Sequence, residues 1–592
     1  RDRKFFVGFV ASILCYGAFS AYQLTLPGLE YDEVFFGPAA RGYTKDFHTP
    51  RLASSSELPS RFSPIAFSTF ALSYGESSLP VMLMPYWGAL KVYLTRPVFS
   101  VLGVSPQTIR LPAIFLGALS LLFFSFFLAR WCSPSVGLIA AILLASDPSY
   151  IFYTRHDFGS AALTLLLACC PLWCLACWVE TGRSSLWAAA FFFFGLGLYS
   201  RLDYATFLVA FGVTVLVCFR QVVCLRVRGK EIGLALFCFL VGCSPFLLFL
   251  WRHPSVAVSA FSLASPTQDF SAVARVKGYV LWTVLNGTAL YEFFSGRSEL
   301  HVGKEVTARG EVRVGSYAVE RHVFPAASLV PGTLTPYLLL CFVAALCFFH
   351  PPPSCKALML FLAVSLFCVA SVRGALRGHH FVSFLPTVQA FLAASFVFLW
   401  WRVRTKTIRT VLVIGAMACV GANLLMGLRY HRLLAETGGR GIWSEAIYDL
   451  VQYVQEHCQG RRCLVGDWGM GTQIVTLGGS PQMVEEFFWP YIEGGDVGEL
   501  DALVRTENAL FIFYTDPYVN FSRPKHLFRV AAQRVNRGAE TKCVFTGREG
   551  TPVIEVLELK EKKKSTPGED GPSHILCKNA ISKSAGYVKT QG

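Results

Sequence analysis

Four short clusters of ionisable residues stand at the ends of apolar stretches in this chain. Tyr31-Asp32-Glu33 follows the first stretch, and Tyr153-Thr154-Arg155-His156-Asp157 closes the third. Ser200-Arg201-Leu202-Asp203-Tyr204 closes the fifth, and Arg373 through Arg377-Gly378-His379-His380 follows the ninth. These residue types can carry out sugar transfer. A carboxylate such as Asp32 can accept the proton of an acceptor hydroxyl as it attacks an anomeric carbon. Arginine and histidine can stabilise the phosphate oxygens of a departing carrier, where negative charge develops. A single displacement of this kind inverts the anomeric configuration.

Each cluster also has a plainer reading. An Asp-Glu pair after a span is commonly a solvated loop, and Arg155 with Asp157, or Arg201 with Asp203, would serve as an interfacial ion pair. His379-His380 beside Arg377 would serve as an interfacial anchor rather than a metal site. The argument for function is convergence, because charges near an apolar core are costly and usually face a water-filled cavity where they pair.

The elements that must position these clusters are apolar. A spanning helix needs ~20 mainly apolar residues. Eleven stretches qualify: 5–24, 109–130, 135–151, 158–179, 185–200, 203–220, 232–251, 334–350, 355–372, 381–400 and 408–428. The expected fold class is therefore a membrane all-α protein, a polytopic bundle of about eleven spans. The first residue is Arg, not Met, which suggests a truncated start. Residues 5–24 have basic residues before them and no small-residue cleavage pattern after them, so they read as an uncleaved signal anchor.

Composition agrees. Of 592 residues, 53% are hydrophobic and only 15% charged, whereas a soluble chain carries about a quarter charged. The net charge of +15 follows topology rather than nucleic acid. With the N-terminus in the cytoplasm, alternation puts fourteen basic residues inside against three acidic ones, which accounts for +11 of the total. All four clusters then lie on the outer side. So do a first loop at about 25–108, a second at about 252–333, and a C-terminal region from 429. Pro80–Gly103 is apolar but interrupted by Pro85, Lys91, Arg96 and Pro97, and reads as interfacial helices on the membrane surface.

From 429 to 559 the pattern changes to that of a small extracytoplasmic α/β domain. Trp443–Glu456, Leu500–Arg505 and Pro524–Val535 look helical, and Cys463–Gly466 and Ala509–Tyr514 look like buried strands. Residues 560–592 read as a disordered tail. Of 19 cysteines only Cys458, Cys463, Cys543 and Cys577 lie beyond residue 430, which excludes a small disulfide-stapled domain. Cys458 and Cys463 could pair if that region is extracytoplasmic. Cys174-x-x-Cys177 lies inside a span and reads as small core residues. Gly466-Asp467-Trp468-Gly469-Met470-Gly471 follows a strand but lacks dinucleotide or P-loop spacing, and reads as a turn. Asn286-Gly-Thr288 and Asn520-Phe-Ser522 are acceptor sequons.

Three segments resemble the GT-C integral membrane glycosyltransferases, in particular the group that holds protein O-mannosyltransferases and lipid A aminoarabinose transferases. Tyr31-Asp32-Glu33 resembles the acidic motif of the family's first outer loop. Arg110-Leu111-Pro112 through Gly117-Ala118 looks like the opening of its second span. Gly137–Ala141, with Asp147-Pro148 and Arg155-His156-Asp157, is similar to its third span and second acidic position, and His379-His380-Phe381 with Pro386 looks like a late segment. The resemblance covers about residues 1–400. It implies Asp32 as catalytic base with Glu33 beside it, and Asp157 shaping the acceptor site or sharing a divalent cation.

Arg155, His156, Arg201, Asp203, Arg373, Arg377, His379 and His380 would then meet the substrates. The implied partners are a polyprenyl-phosphate sugar donor, a lipid, glycan or protein acceptor, and membrane lipids, with no nucleic acid. There are departures. The aminoarabinose transferases carry Lys-Pro-Pro late in the first loop, where this chain reads Ser78-Leu79-Pro80 and then Pro85 to Lys91, and no β-trefoil repeats follow. These differences point to a bacterial-type member in the inner membrane. The competing class is a transporter or lipid flippase, which often shows internal repeats and mid-membrane charges that are not evident here. A third reading is a non-catalytic scaffold built around the outer domain.

Overall fold

The computed structural model describes residues 2–43, 70–74, 77–221, 226–254, 270–294, 305–306, 312–313, 332–371, 378–479, 483–488, 491, 497–506, 508–516, 518–519 and 522–561. All eleven apolar stretches are helical. Among the described residues six helices are long and apolar enough to cross a membrane: Pro106–Trp131, Phe158–Thr181, Gly229–Arg252, Pro353–Ser371, Gly378–Arg402 and Lys406–Thr437. The third stretch is a bent pair, Pro134–Ser146 and Pro148–His156, turned by 66°. The bend has a local cause: Pro148 cannot donate to the ladder, and Asp147 steps out to extended φ/ψ and caps the next helix at Tyr150 N. Four more helices, Phe5–Ala21, Ser184–Ser200, Tyr204–Cys218 and Thr335–Leu346, are apolar but shorter. Leu216, Phe237, Phe348 and Met417 are exposed, as lipid-facing side chains are.

The first outer loop differs from its expected interfacial helices. Phe70–Tyr74 (β1), Ser77–Met84 (β2) and Trp87–Gly88 (β3) form an antiparallel sheet in the order β1-β2-β3, and a single helix, Leu90–Leu102, follows. Pro80 and Pro85 stop a helix from forming before Ala89, so the apolar residues bury by extending. Val81, Met82 and Leu83 pack there with Tyr199 and Trp87. In the second outer loop, helices Phe270–Leu285 and Ala289–Phe294 are followed by a short pair, Glu305–Val306 (β4) and Val312–Arg313 (β5).

The C-terminal region carries a mixed five-stranded sheet. Its strands are Arg462–Val465 (β6), Val484–Glu486 (β7), Ala509–Tyr514 (β8), Arg537–Thr546 (β9) and Pro552–Glu561 (β10), in the order β7-β6-β8-β10-β9. Every residue of β8 is buried, as a central strand requires. Helices Ala446–His457, Met470–Leu477, Val497–Val504 and Ser522–Arg534 cover it. Cys458 and Cys463 are joined in a disulfide. The helix from Lys406 runs to Thr437, nine residues past the expected boundary, and β10 reaches Glu561, into the expected tail. Residues 562–592, Cys577 and Asn520 lie outside the described residues. The outer domain packs directly on the first outer loop. Gly28 N donates to Trp443 O at 2.8 Å, Tyr448 Oη to Thr25 O at 3.0 Å, and Arg41 to Gly479 O at 3.0 Å.

Candidate active site

Asp32 stands on a one-turn helix, Tyr31–Val34, at the start of the first outer loop. The chain leading to it is held by two buried guanidinium groups. Arg110 donates to Leu24 O at 2.7 Å, Leu26 O at 3.1 Å and Pro27 O at 3.0 Å, and Arg155 donates to Leu26 O at 2.7 Å and to Gln23 O. Arg110 also forks onto Glu33, with Nε 2.5 Å from Oε1 and Nη2 2.9 Å from Oε2. Both partners of that pair are wholly buried. Burial alone would raise the Glu33 carboxyl, but Arg110, helped by His156, pulls it down to about 2. Glu33 is therefore an anchored carboxylate beneath Asp32, while Asp32 itself is half-buried.

Asp157 sits where the bent third stretch turns back into the fourth. Its backbone is left-handed at φ 52°, and Gly159 and Ser160 follow at φ 59° and 57°. Left-handed backbone at non-glycine residues costs energy and gathers at functional sites. Oδ1 of Asp157 accepts from Ala162 N at 2.7 Å and so caps the next helix, while Lys91 Nζ lies 2.7 Å from Oδ2. The same ammonium stands 3.9 Å from the centre of the Phe36 ring. Burial raises the Asp157 carboxyl, and Lys91 offsets only part of that rise.

The third group joins helices far apart in sequence. The Arg201 guanidinium grips Asp203, Nε to Oδ1 at 2.9 Å and Nη2 to Oδ2 at 2.5 Å, and donates to Gly159 O. His380 Nδ1 is 2.9 Å from Asp203 Oδ2 and 2.9 Å from Arg201 Nη2. Arg201 and His380 thus both face the Asp203 carboxylate. Trp87 pairs with Arg201 through the backbone and donates from Nε1 to Ser160 Oγ at 3.2 Å. A β-carbon at Gly159 would come within 2.5 Å of Arg201 Nη1 and 3.1 Å of the His379 ring, so only glycine fits there.

These groups form one region. The Tyr31–Val34 turn packs on Phe158–Ser160, Phe35 stacks on Trp87 at 5.4 Å, and Asp32 is among the charged groups that act on His380. Asp203 and His380 side chains remain 34% and 21% exposed, so this end of the cluster opens to solvent. Arg155 and His156, which the sequence offers as substrate contacts, are instead wholly buried. His156 stacks near Phe158, and both residues support the Asp32 segment from beneath. Arg373 and Arg377 lie outside the described residues. Lys91, Arg110 and Glu30 join the site unannounced. Their signal was a cation or carboxylate beside or within an apolar run, which needs a partner.

The carboxylates offered to a divalent cation do not fit one, because Lys91 occupies Asp157 and Arg110 occupies Glu33. Among the described residues no group of three or more His, Cys, Asp or Glu side chains is placed to hold a metal.

Comparison with known proteins yields a match to a family model over part of the chain and a likeness of fold. Residues 89–249 match the family model described as dolichyl-phosphate-mannose-protein mannosyltransferase. The chain superposes on ArnT from Cupriavidus metallidurans bound to undecaprenyl phosphate, with TM-score 0.52 and 12% identity over 94% of this chain and 98% of that one. It also superposes on the oligosaccharyltransferase of Archaeoglobus fulgidus in the apo form, with TM-score 0.53 and 12% identity over 95% of this chain and 75% of that one. At such identity the likeness is one of fold. Among curated protein sequences none matches significantly.

Proposed function

Starting from a membrane chain with the GT-C glycosyltransferase fold, we propose that it transfers a sugar from a polyprenyl-phosphate donor to an acceptor hydroxyl on the non-cytoplasmic face, with inversion. Asp32 acts as general base. It takes the hydroxyl proton as the acceptor oxygen attacks the anomeric carbon, and the bond from that carbon to the phosphate oxygen breaks. The charge that develops on the departing polyprenyl phosphate falls to Arg201 and the His379–His380 pair, whose cluster is the one open to solvent. Asp157, fixed by Lys91, shapes the wall between base and phosphate groups. Glu33 and Arg155 hold the base's segment and touch no substrate.

The observation that carries this reading is the convergence of residues 32, 91, 157, 201, 203 and 380, from five separate elements, in one region where Asp203 and His380 stay partly exposed. Support for the outer face comes from the charge bias and from the Cys458–Cys463 disulfide, a bond that persists in oxidising compartments. On this reading the chain belongs to the plasma (inner) membrane of a bacterial-type cell, with the α/β domain on its outer side. The acceptor is a lipid, glycan or protein hydroxyl.

The test is Asp32→Asn in the full chain. Transfer from a polyprenyl-phosphate sugar should fall at least ~10²-fold while insertion and folding stay intact. Undiminished transfer would remove the mechanism. Lipid flipping by the purified chain in liposomes, with no glycosyl transfer, would instead support the transporter class.

A further inference from the structure

We infer that Glu30 and the glycine-rich turn Gly466–Gly471 of the outer domain form a positioning unit for Asp32, so that the outer domain takes part in the reaction without touching substrate. The inference rests on the reading of Asp32 as base. Glu30 is 2% exposed, and its Oε2 accepts a hydrogen bond from the backbone N–H of Asp32 at 2.7 Å. Burying a carboxylate is costly, and this bond directs the stabilising partner onto the residue whose placement matters. Glu30 lines a small cavity with Tyr31, Trp468, Gly469 and Gln473, so its carboxylate lies at the junction of the two domains.

The turn and the helix after it touch the Asp32 segment at three residues, Leu29, Tyr31 and Val34. The Trp468 ring centre is 4.7 Å from that of Tyr31, the residue just before Asp32. Gly469, at φ 92°, lies so close to Tyr31 that a β-carbon would come to 2.9 Å from Tyr31 Cβ. In the helix that begins at Met470, Gln473 Nε2 donates to Leu29 O at 2.5 Å and Thr476 Oγ1 to Val34 O at 3.4 Å. The residues before, beside and after Asp32 are thus each held by one strand–turn–helix of the outer domain. A displacement of about 1 Å at a catalytic group can cost roughly 10²-fold in rate, so a wall of this kind sets kcat more than affinity.

Two readouts test it in the intact chain. The first is hydrogen exchange of the peptide covering residues 29–34. Glu30→Ala and Trp468→Ala should each speed it at least about tenfold while helix Ala446–His457 stays protected. Unchanged exchange in both variants overturns the inference. The second is turnover in native membranes with undecaprenyl-phosphate mannose or undecaprenyl-phosphate aminoarabinose as the probe, whichever the wild type consumes. Glu30→Ala should lower kcat about 10–100-fold with donor KM within about threefold. Glu30→Gln, whose amide oxygen can accept the same bond, should recover most of it, as Trp468→Phe should for Trp468→Ala. If Glu30→Ala fails to fold, Gln473→Ala, which removes the bond to Leu29 and a longer one from Tyr514 Oη at 3.4 Å, carries the same expectations. An active Asp32→Asn would sink the reading of Asp32 as base. An inactive Asp32→Asn beside a fully active Glu30→Ala would sink this inference alone.

Discussion

The Lys91 ammonium lies 2.7 Å from Asp157 Oδ2, and the two side chains are only 5% and 2% exposed. Removing one partner of such a pair strands the other charge, at a cost of roughly 3–5 kcal/mol. Lys91→Met should therefore lower the thermal midpoint sharply, and Lys91→Met with Asp157→Asn should restore part of it. A melting series in detergent checks this. Equal midpoints for the single and double variants would show that the pair is not coupled.

Glu33 gives an acid-stability prediction. Its ordinary value is 4.5 and its folded value is about 2, so its stabilisation is fully present above 4.5 and is lost as pH falls through about 2. The depression corresponds to about 3 kcal/mol. Glu33→Gln should be less stable than wild type at neutral pH, and the gap should shrink on acidification. Unfolding midpoints between pH 7 and pH 3 provide the measurement.

Gly159→Ala should abolish turnover while sparing the fold. Its φ of 59° disfavours a side chain, and the new methyl group would press on Arg201 and His379. Loss of kcat with normal expression is the expected outcome. Full activity would mean the Arg201–His379 geometry is not needed.

His380→Gln and Asp203→Asn probe the phosphate end. Each should lower kcat by ~10²–10³-fold, because the Nδ1 bond to Asp203 orients the ring. An Asp203→Asn enzyme with unaltered kcat would leave Asp203 as a surface ion pair only.

Much of this arrangement was legible in the residues, for physical reasons. The eleven apolar runs forecast where helices form, because a helix in lipid must satisfy its own backbone, and six of those helices are long and apolar enough to span. The ionisable residues at helix ends forecast a cluster of charged side chains, and Asp157, Arg201 and His380 meet through the turn at Gly159. What sequence spacing concealed was orientation. Arg155 and Asp157 are two residues apart, yet one points down to Leu26 O and the other across to Lys91. Lys91 itself looked like an interruption in an apolar stretch, and its role depends on β1–β3 extending before it. Likewise Glu30 could not be separated from Glu33 by type alone. One caps the Asp32 amide, whereas the other neutralises Arg110.

The helix Lys406–Thr437 has 32 residues, which at 1.5 Å each is about 48 Å, against ~30 Å of hydrocarbon. It runs unbroken beyond spanning length, and His431 near its end bonds to Phe19 O at 3.0 Å. The outer domain is thus delivered on a stiff mast already fastened to the first helix. Grafting a relative's outer domain onto this chain at Thr437 would separate it from the surface that residues 25–41 provide. A workable chimaera would have to exchange that surface along with the domain.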